Sequence, residues 1–293
     1  MIKVRVPATS ANLGVGYDCL GLALDEYATF YFEEIDQGLE ILGCKEEYCN
    51  EDNLIYQAFL KGMQQVGATF TGLRIQVDTN VPYARGMGSS ATCIVAGLYG
   101  ANALSGNKMN KYEIFHLATE MEGHPDNVAP AIFGGLCVSF MDGKEANMIR
   151  FGVKRDLSFV TIIPDFEVST HRAREVLPTE MTYKQATYQM GRCTALAKAI
   201  ELGNPVIIKK ACTDQMQEPY RKALIPQYDQ VKALAQQYHM ITMFISGSGS
   251  TMMTVSQEQE DIDAFMSALQ EAFPTWDIRL LHATYDAADC EVI

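Results

Sequence analysis

The sequence predicts an α+β fold in two packed domains, on three observations. The chain has 293 residues, more than one core ordinarily organises and enough for two domains of about 150 residues each. Short apolar runs of period two alternate along it with longer runs of helical spacing. Helical runs such as Asp261–Phe273 are apolar on one side, as suits helices laid over one face of a sheet.

The elements follow in order. Ile2, Val4 and Val6 lie on one face and Lys3 and Arg5 on the other, which makes a strand. Residues 26–42, rich in Tyr, Phe and Ile, carry more strand. Asp52–Val66 spaces Leu54, Ile55, Ala58, Phe59 and Met63 as one helix face. Leu73, Ile75 and Val77 alternate again and lead into Asn80-Val81-Pro82. A Gly/Ser turn then opens a small-residue helix over 89–104, and Lys111–Glu122 is a second helix with Ile114, Phe115, Ala118 and Met121 inward. Phe133–Phe140 and Phe159–Ile163 read as strands. The polar stretch Asp142–Asp156 between them marks the division, giving domains 1–150 and 151–293. In the second half, helices are expected at 183–202, 205–217, Gln227–Tyr238 and Asp261–Phe273. Strands are expected at Met240–Ile245 and Ile278–Tyr285.

Composition excludes several classes. No apolar run approaches the roughly 20 residues of a membrane span, and the first residues lack the apolar region of a signal peptide. A cytoplasmic protein with no membrane partner is expected. A net charge of −13 argues against nucleic-acid binding. The eight cysteines form no C-x-x-C pair and no zinc spacing, and are expected to be buried thiols.

The central motif is Pro82-Tyr83-Ala84-Arg85-Gly86-Met87-Gly88-Ser89-Ser90-Ala91, followed by Thr92. Its glycines let the backbone approach a ligand. The helix behind it turns free N–H groups and a positive dipole end toward the turn, which suits phosphate. Ser89 and Ser90 add hydroxyls for phosphate oxygens or Mg²⁺. Alone, the motif is equally an ordinary capped helix or a dinucleotide fingerprint. The latter would indicate a nicotinamide-dependent oxidoreductase, but it fits poorly: Pro82 interrupts the approach, and Glu113 lies in a helical run. No G-K-[ST] follows the glycines, and no H-R-D or D-F-G set is present.

A second turn, Ser246-Gly247-Ser248-Gly249-Ser250-Thr251, favours a polyphosphate site held from two sides. Glu122 closes a helix, where a carboxylate is disfavoured unless a cation sits beside it. With Ser90 it makes a candidate Mg²⁺ pair. His124-Pro125-Asp126-Asn127 is a polar turn that could line an acceptor pocket, with Asn127 able to donate and accept. Asn12 and Asp18 bracket a glycine-bearing loop after the first strand. Thr170, Arg172 and Arg174 follow the strand 159–163, and two separated Arg residues, one of these and Arg221, could clamp a carboxylate.

Taken together, these segments resemble the GHMP small-molecule kinases. The resemblance rests on Pro7–Asp18, Pro82–Ala91 and Ser246–Thr251, and runs through nearly the whole chain. It implies an N-terminal domain like ribosomal S5 domain 2 and a ferredoxin-like C-terminal domain. It implies ATP as donor, Mg²⁺ as metal and L-homoserine as small-molecule acceptor, with other acceptors of the family, mevalonate or a sugar, as alternatives. ATP would be bound by residues 82–92, by Ser246, Gly247, Ser248 and Gly249, and by Asn53 at the adenine. Ser90 and Glu122 would bind Mg²⁺, with Glu120 the alternative to Glu122. Asn12, Asp18, His124 and Asn127 would surround the amino and hydroxyl end of the acceptor, with Asn12, Asp18 and Asn127 acting in catalysis. Thr170, Arg174 and Arg221 would take the acceptor's carboxylate. A homodimer is a family-level expectation, and a non-catalytic ligand-binding regulator on the same fold is a further reading.

Overall fold

The computed structural model describes residues Met1–Ile293. Its first sheet contains β1 (Ile2–Asn12), β2 (Gly16–Glu34), β3 (Gly38–Leu42), β4 (Gly72–Thr79), β5 (Leu136–Asp142) and β6 (Glu145–Phe151). The last strand of the chain, β11 (Asp289–Val292), returns to its edge. The order is β11-β1-β2-β4-β3, with β5 on the free stretch of β2 and β6 beyond β5. All pairs are antiparallel except β3 with β4. Helices α1 (Leu54–Gln65), α2 (Ser89–Leu104), α3 (Lys111–Glu122) and α4 (Val128–Phe133) belong to this half. α2 is buried almost throughout. Its Ala and Gly residues allow this, because they let neighbouring elements approach closely.

The second sheet runs β10-β7-β9-β8, from β7 (Ser158–Ile163), β8 (Thr242–Ile245), β9 (Met252–Ser256) and β10 (Asp277–His282), all antiparallel. This is the strand order of a ferredoxin-like fold. The helices here are α5 (Thr170–Glu175), α6 (Tyr183–Leu202), α7 (Pro205–Ala211), α8 (Glu218–Arg221), α9 (Tyr228–Gln237) and α10 (Gln259–Ala272). Every residue of β7 is buried, because both faces of the sheet are covered. Val160 and Ile162 pack with Val231, Phe265 and Leu269 from α9 and α10. Phe159 faces the other way, into the core that the first sheet shares with Leu196 and Ile200 of α6.

Four sequence expectations change. The polar stretch Asp142–Asp156 contains β6, which forms a hairpin with β5. Its outer face is exposed at Ile149 and its inner face offers only Ala146 and Met148, so the apolar alternation is faint. The 150/151 division therefore cuts the end of a strand. The helix expected over 205–217 stops at Ala211. The Asp214 carboxylate accepts from the N–H groups of Met216, Gln217 and Glu218 and opens α8 instead. Residues 133–135 are not strand: α4 runs through Pro130 to Phe133, and β5 starts at Leu136. Finally, only Cys93, Cys137 and Cys212 are buried, while Cys49 is exposed; all eight are free thiols. No helix is long and apolar enough to cross a membrane.

Candidate active site

The fold brings the glycine-bearing loops around a cleft of about 620 Å³. One end is made by the turn before α2. Gly88 caps the helix with φ +69°. The first helical hydrogen bond runs from Thr92 N–H to Gly88 O, so the N–H groups before it point out of the helix end. A Cβ on Gly88 would sit 2.0 Å from Thr9 Oγ1, and one on Gly86 would sit 2.2 Å from the backbone oxygen of Ser246. The two Gly/Ser turns therefore touch. Ser246 Oγ donates to Gly86 O at 2.6 Å, Thr251 N–H donates to Arg85 O, and Gly247 N–H donates to Ala11 O.

Of the expected nucleotide residues, Asn53, Tyr83, Ala84, Gly86, Gly88, Ser89, Ser90, Gly247 and Ser248 line the cleft. Pro82, Arg85, Met87, Ala91, Thr92, Ser246 and Gly249 do not. Met87 and Ala91 are core residues. Arg85 turns away to the carbonyls of Pro164 and Asp165 and to Glu167. Thr92 Oγ1 donates to Ser89 O, and Asn53 caps α1 through Ile55 and Tyr56 N–H. Sequence reasoning missed the wall beside Asn53, formed by Cys44, Glu47, Tyr48, Asn50 and Asp52. The tilted ring pair Tyr48–Tyr83, 6.3 Å apart, ties that wall to the turn before α2, and no sequence spacing announces it.

Glu122 reaches the same end from α3. Ser90 Oγ donates to its carboxylate at 2.6 Å. Burial raises the Glu122 pKa, against the Ser90 bond and the nearby His124, with Asp126 adding to the rise. No Lys or Arg bonds to this carboxylate. Glu120 instead pairs with Lys61 on the surface. No three His, Cys, Asp or Glu side chains gather as a metal cage. The local donors are one hydroxyl and one carboxylate that lacks a cation, next to a phosphate-type turn. Those donors fit a divalent ion that keeps water and phosphate ligands, as Mg²⁺ does.

The other end of the cleft is built from side chains. Arg174 forms a bidentate pair with Asp18, both N–O distances being 3.0 Å, and Nη1 also donates to Tyr17 OH at 2.7 Å. Burial works to lower the Arg174 pKa, but the Asp18 carboxylate outweighs it and the net direction is up. Arg221 is buried and donates to Ala173 O, Gly247 O and Gln217 Oε1. Burial pulls its pKa down. Thr170 stands exposed at the start of α5, on the cleft rim.

His124, Asp126 and Asn127 form the floor. His124 Nδ1 lies 2.6 Å from Asp126 Oδ1, which also accepts from Asn127 N–H. Burial lowers the imidazole pKa, but the Asp126 bond and the charges of Asp126 and Glu122 reverse the sign. Asn127 Oδ1 accepts from Thr9 Oγ1 at 2.7 Å, which leaves its NH₂ for the cleft. Asn12 uses both ends of its amide on the protein: Nδ2 donates to Gly247 O, and Oδ1 accepts from Asp18 N–H. Asn12, Leu13 and Asp18 all have positive φ, so this amide holds a strained loop in shape.

A glycine-rich turn on a helix end, a carboxylate beside it and a charged pocket at the other end of the cleft suit a small-molecule phosphotransferase. Comparison with known families agrees. The model of the GHMP kinases N terminal domain matches residues 53–135, and that of the GHMP kinases C terminal matches residues 196–275. The chain belongs to the GHMP kinase family.

Within that family, the chain is 41% identical over 286 residues to a homoserine kinase of Clostridium botulinum (strain 657 / Type Ba4), covering 96% of this chain and 95% of that protein. It is 41% identical over 272 residues to a homoserine kinase of Clostridium beijerinckii, covering 92% and 91%. Its fold matches the crystal structure of homoserine kinase from Cytophaga hutchinsonii with a TM-score of 0.86, at 28% identity over 99% of this chain and 97% of that one. The L. major mevalonate kinase shares the fold, with a TM-score of 0.75 at 13% identity over 97% and 96%.

Proposed function

We propose that this chain transfers the γ-phosphoryl group of ATP to the hydroxyl of L-homoserine in the cytoplasm, giving O-phospho-L-homoserine for threonine biosynthesis. The observation that carries the choice of acceptor is the Asp18–Arg174 pair gathered with Arg221 at one end of the cleft, both guanidinium groups lying near the Tyr17 ring. An α-amino acid zwitterion fits those three groups. Its ammonium takes Asp18, and its carboxylate takes Arg174 and the free edge of Arg221. Mevalonate and neutral sugars carry no ammonium for Asp18. The similarity to proteins named homoserine kinase supports the same acceptor.

The reaction asks mainly for alignment and charge neutralisation. The N–H groups at the start of α2 and in the turn before it, with Ser248 N–H from the second turn, would hold the phosphates, since none of them donates to a protein acceptor. Ser90 and Glu122, rather than Glu120, would hold Mg²⁺, which neutralises charge on the phosphate oxygens when bound. Asn127 directs its free NH₂ toward the acceptor oxygen. It cannot take a proton, and Asp126 is engaged by His124 and by the Asn127 N–H. No strong base is therefore assigned. Asn12 acts indirectly, by fixing Asp18 and Gly247. Asn53 and the Tyr48–Tyr83 wall enclose the base of the nucleotide.

Measuring ADP release with homoserine, mevalonate and sugars as acceptors tests the reading. Homoserine should be the preferred acceptor, with a phosphate monoester on its hydroxyl seen by ³¹P NMR. ADP release with mevalonate or a sugar but none with homoserine would overturn it.

A further inference from the structure

We propose that Gln217 is a positioning residue that sets selectivity for the acceptor's carboxylate by fixing which edge of Arg221 faces the cleft. This rests on the homoserine reading above and deepens it.

A guanidinium has five N–H donors in a rigid plane. In Arg221, Nε donates to Ala173 O at 3.0 Å. Nη1 donates to Gln217 Oε1 at 2.5 Å and to Gly247 O at 2.9 Å. Three donors are thus fixed by the protein. The two on Nη2 have no protein acceptor, and Arg221 lines the cleft. No carboxylate of the chain pairs with this buried cation. The Tyr17 ring lies 5.1 Å from its Cζ and 5.6 Å from that of Arg174, between two like charges. The edge left open therefore suits an incoming carboxylate.

Gln217 determines that edge. It is fully buried, and both ends of its amide are committed. Oε1 takes the Arg221 donor, and Nε2 donates to Gly14 O at 2.8 Å. Reversing the amide would set NH₂ against guanidinium and oxygen against a carbonyl, so only one orientation satisfies both sides. The Gly14 bond is the middle one of three. Cys212 Sγ donates to Leu13 O, and Gln189 Nε2 donates to Val15 O. Three successive carbonyls of the Asn12–Asp18 loop are each held by a side chain from the second half of the chain. Gln217 alone of the three also touches a group that faces the cleft. Its circuit closes at Gly247 O, which accepts from both Arg221 and Asn12.

The readout is the ratio of kcat/KM for L-homoserine to that for 3-aminopropan-1-ol, which lacks only the carboxylate. Both are measured on one preparation, so the active fraction cancels. Gln217→Met removes both bonds at similar volume. Gln217→Glu keeps the Arg221 bond but places a negative charge where the substrate's carboxylate must compete. Each should narrow the ratio by about tenfold or more, the scale of one charge-assisted hydrogen bond. The change should come through the KM for homoserine, with the KM for ATP within about twofold. Arg221→Lys should narrow the ratio as well, and adding Gln217→Met to it should narrow it little further, because the two act as one unit. Should Gln217→Met not fold, Gln217→Glu reads the same ratio. An unchanged ratio in folded variants, with normal homoserine turnover by the wild-type chain, would overturn the role of Gln217 alone. Absence of homoserine turnover by the wild-type chain would overturn the underlying reading and this inference with it.

Discussion

The two ends of the cleft, proposed above as the nucleotide end and the acceptor end, are built on opposite plans. The first is one continuous stretch, 82–92, laid on the end of α2 and touched by a second Gly/Ser turn. Its contacts are made by backbone, and its critical residues are those without a Cβ. The second draws Asp18, Asn127, Arg174 and Arg221 from four separate segments. Its contacts are side-chain charges and amides, each oriented by a further side chain. A backbone site tolerates changes of side chain but not of shape. A side-chain site tolerates neither loss nor isosteric change at its charged atoms. The substitutions below exploit that difference.

The largest effect is expected from the smallest change, Gly86→Ala. Its φ is +81°, and the new Cβ would lie 2.2 Å from Ser246 O, a backbone atom in a tight turn that cannot retreat freely. The turns must part, and Gly247 O, which holds Asn12 and Arg221, moves with them. We expect turnover to fall about a hundredfold or more, as misplacement of about 1 Å can do, with loss at both ends of the cleft. Gly106→Ala is the control. Its φ is +89°, but nothing lies within 4 Å of its Cβ position, so only backbone strain of about 1–2 kcal/mol is added. Near-normal turnover by Gly86→Ala would remove the close approach of the two turns as a requirement.

Asp18→Asn separates the ends more cleanly. It keeps the shape of the side chain and removes the charge that Arg174 grips. Both partners are about a third or more exposed, so little stability should be lost, about 1 kcal/mol at most. The KM for homoserine should rise roughly tenfold to a hundredfold, the loss of a charge-assisted partner for the ammonium. The KM for ATP should stay within about twofold. Equal rises in both constants would show that the loop, not the charge, was damaged.

The same contrast governs what could be read from sequence. The boundaries of α2, α3 and α6 match their expected limits, because apolar spacing and end residues are local properties. The Gly/Ser turn before α2 is legible for the same reason. β6 was not, since an edge hairpin with one exposed face shows little alternation. The helix expected to 217 overran because the Asp214 cap acts through side-chain bonds, not spacing. Asp18 and Arg174 were each named, but their bond spans 156 positions. Gln217 carried no signal at all: its partner Gly14 lies 203 positions away, and an isolated glutamine in a polar turn has many ordinary explanations. Resemblance to a family proposed roles for these residues that pattern alone could not.

The smallest effect on turnover is expected beneath the acceptor end, at Glu218, which does not line the cleft. Its carboxylate accepts from Tyr228 OH. Burial pushes its pKa up to about 7 from the ordinary 4.5, with Tyr228 opposing the rise and Asp214 adding to it. Between those values the folded protein holds a proton that the unfolded chain has released. Stability therefore falls as pH rises through this window, and the full penalty stands above about pH 7. The penalty is roughly 3 kcal/mol at most. Glu218→Gln keeps the oxygen that Tyr228 donates to and removes the charge. It should raise the melting temperature at pH 8, leave it nearly unchanged near pH 4.5, and leave turnover within about twofold. An equal shift at both pH values would mean that the charge is not the source.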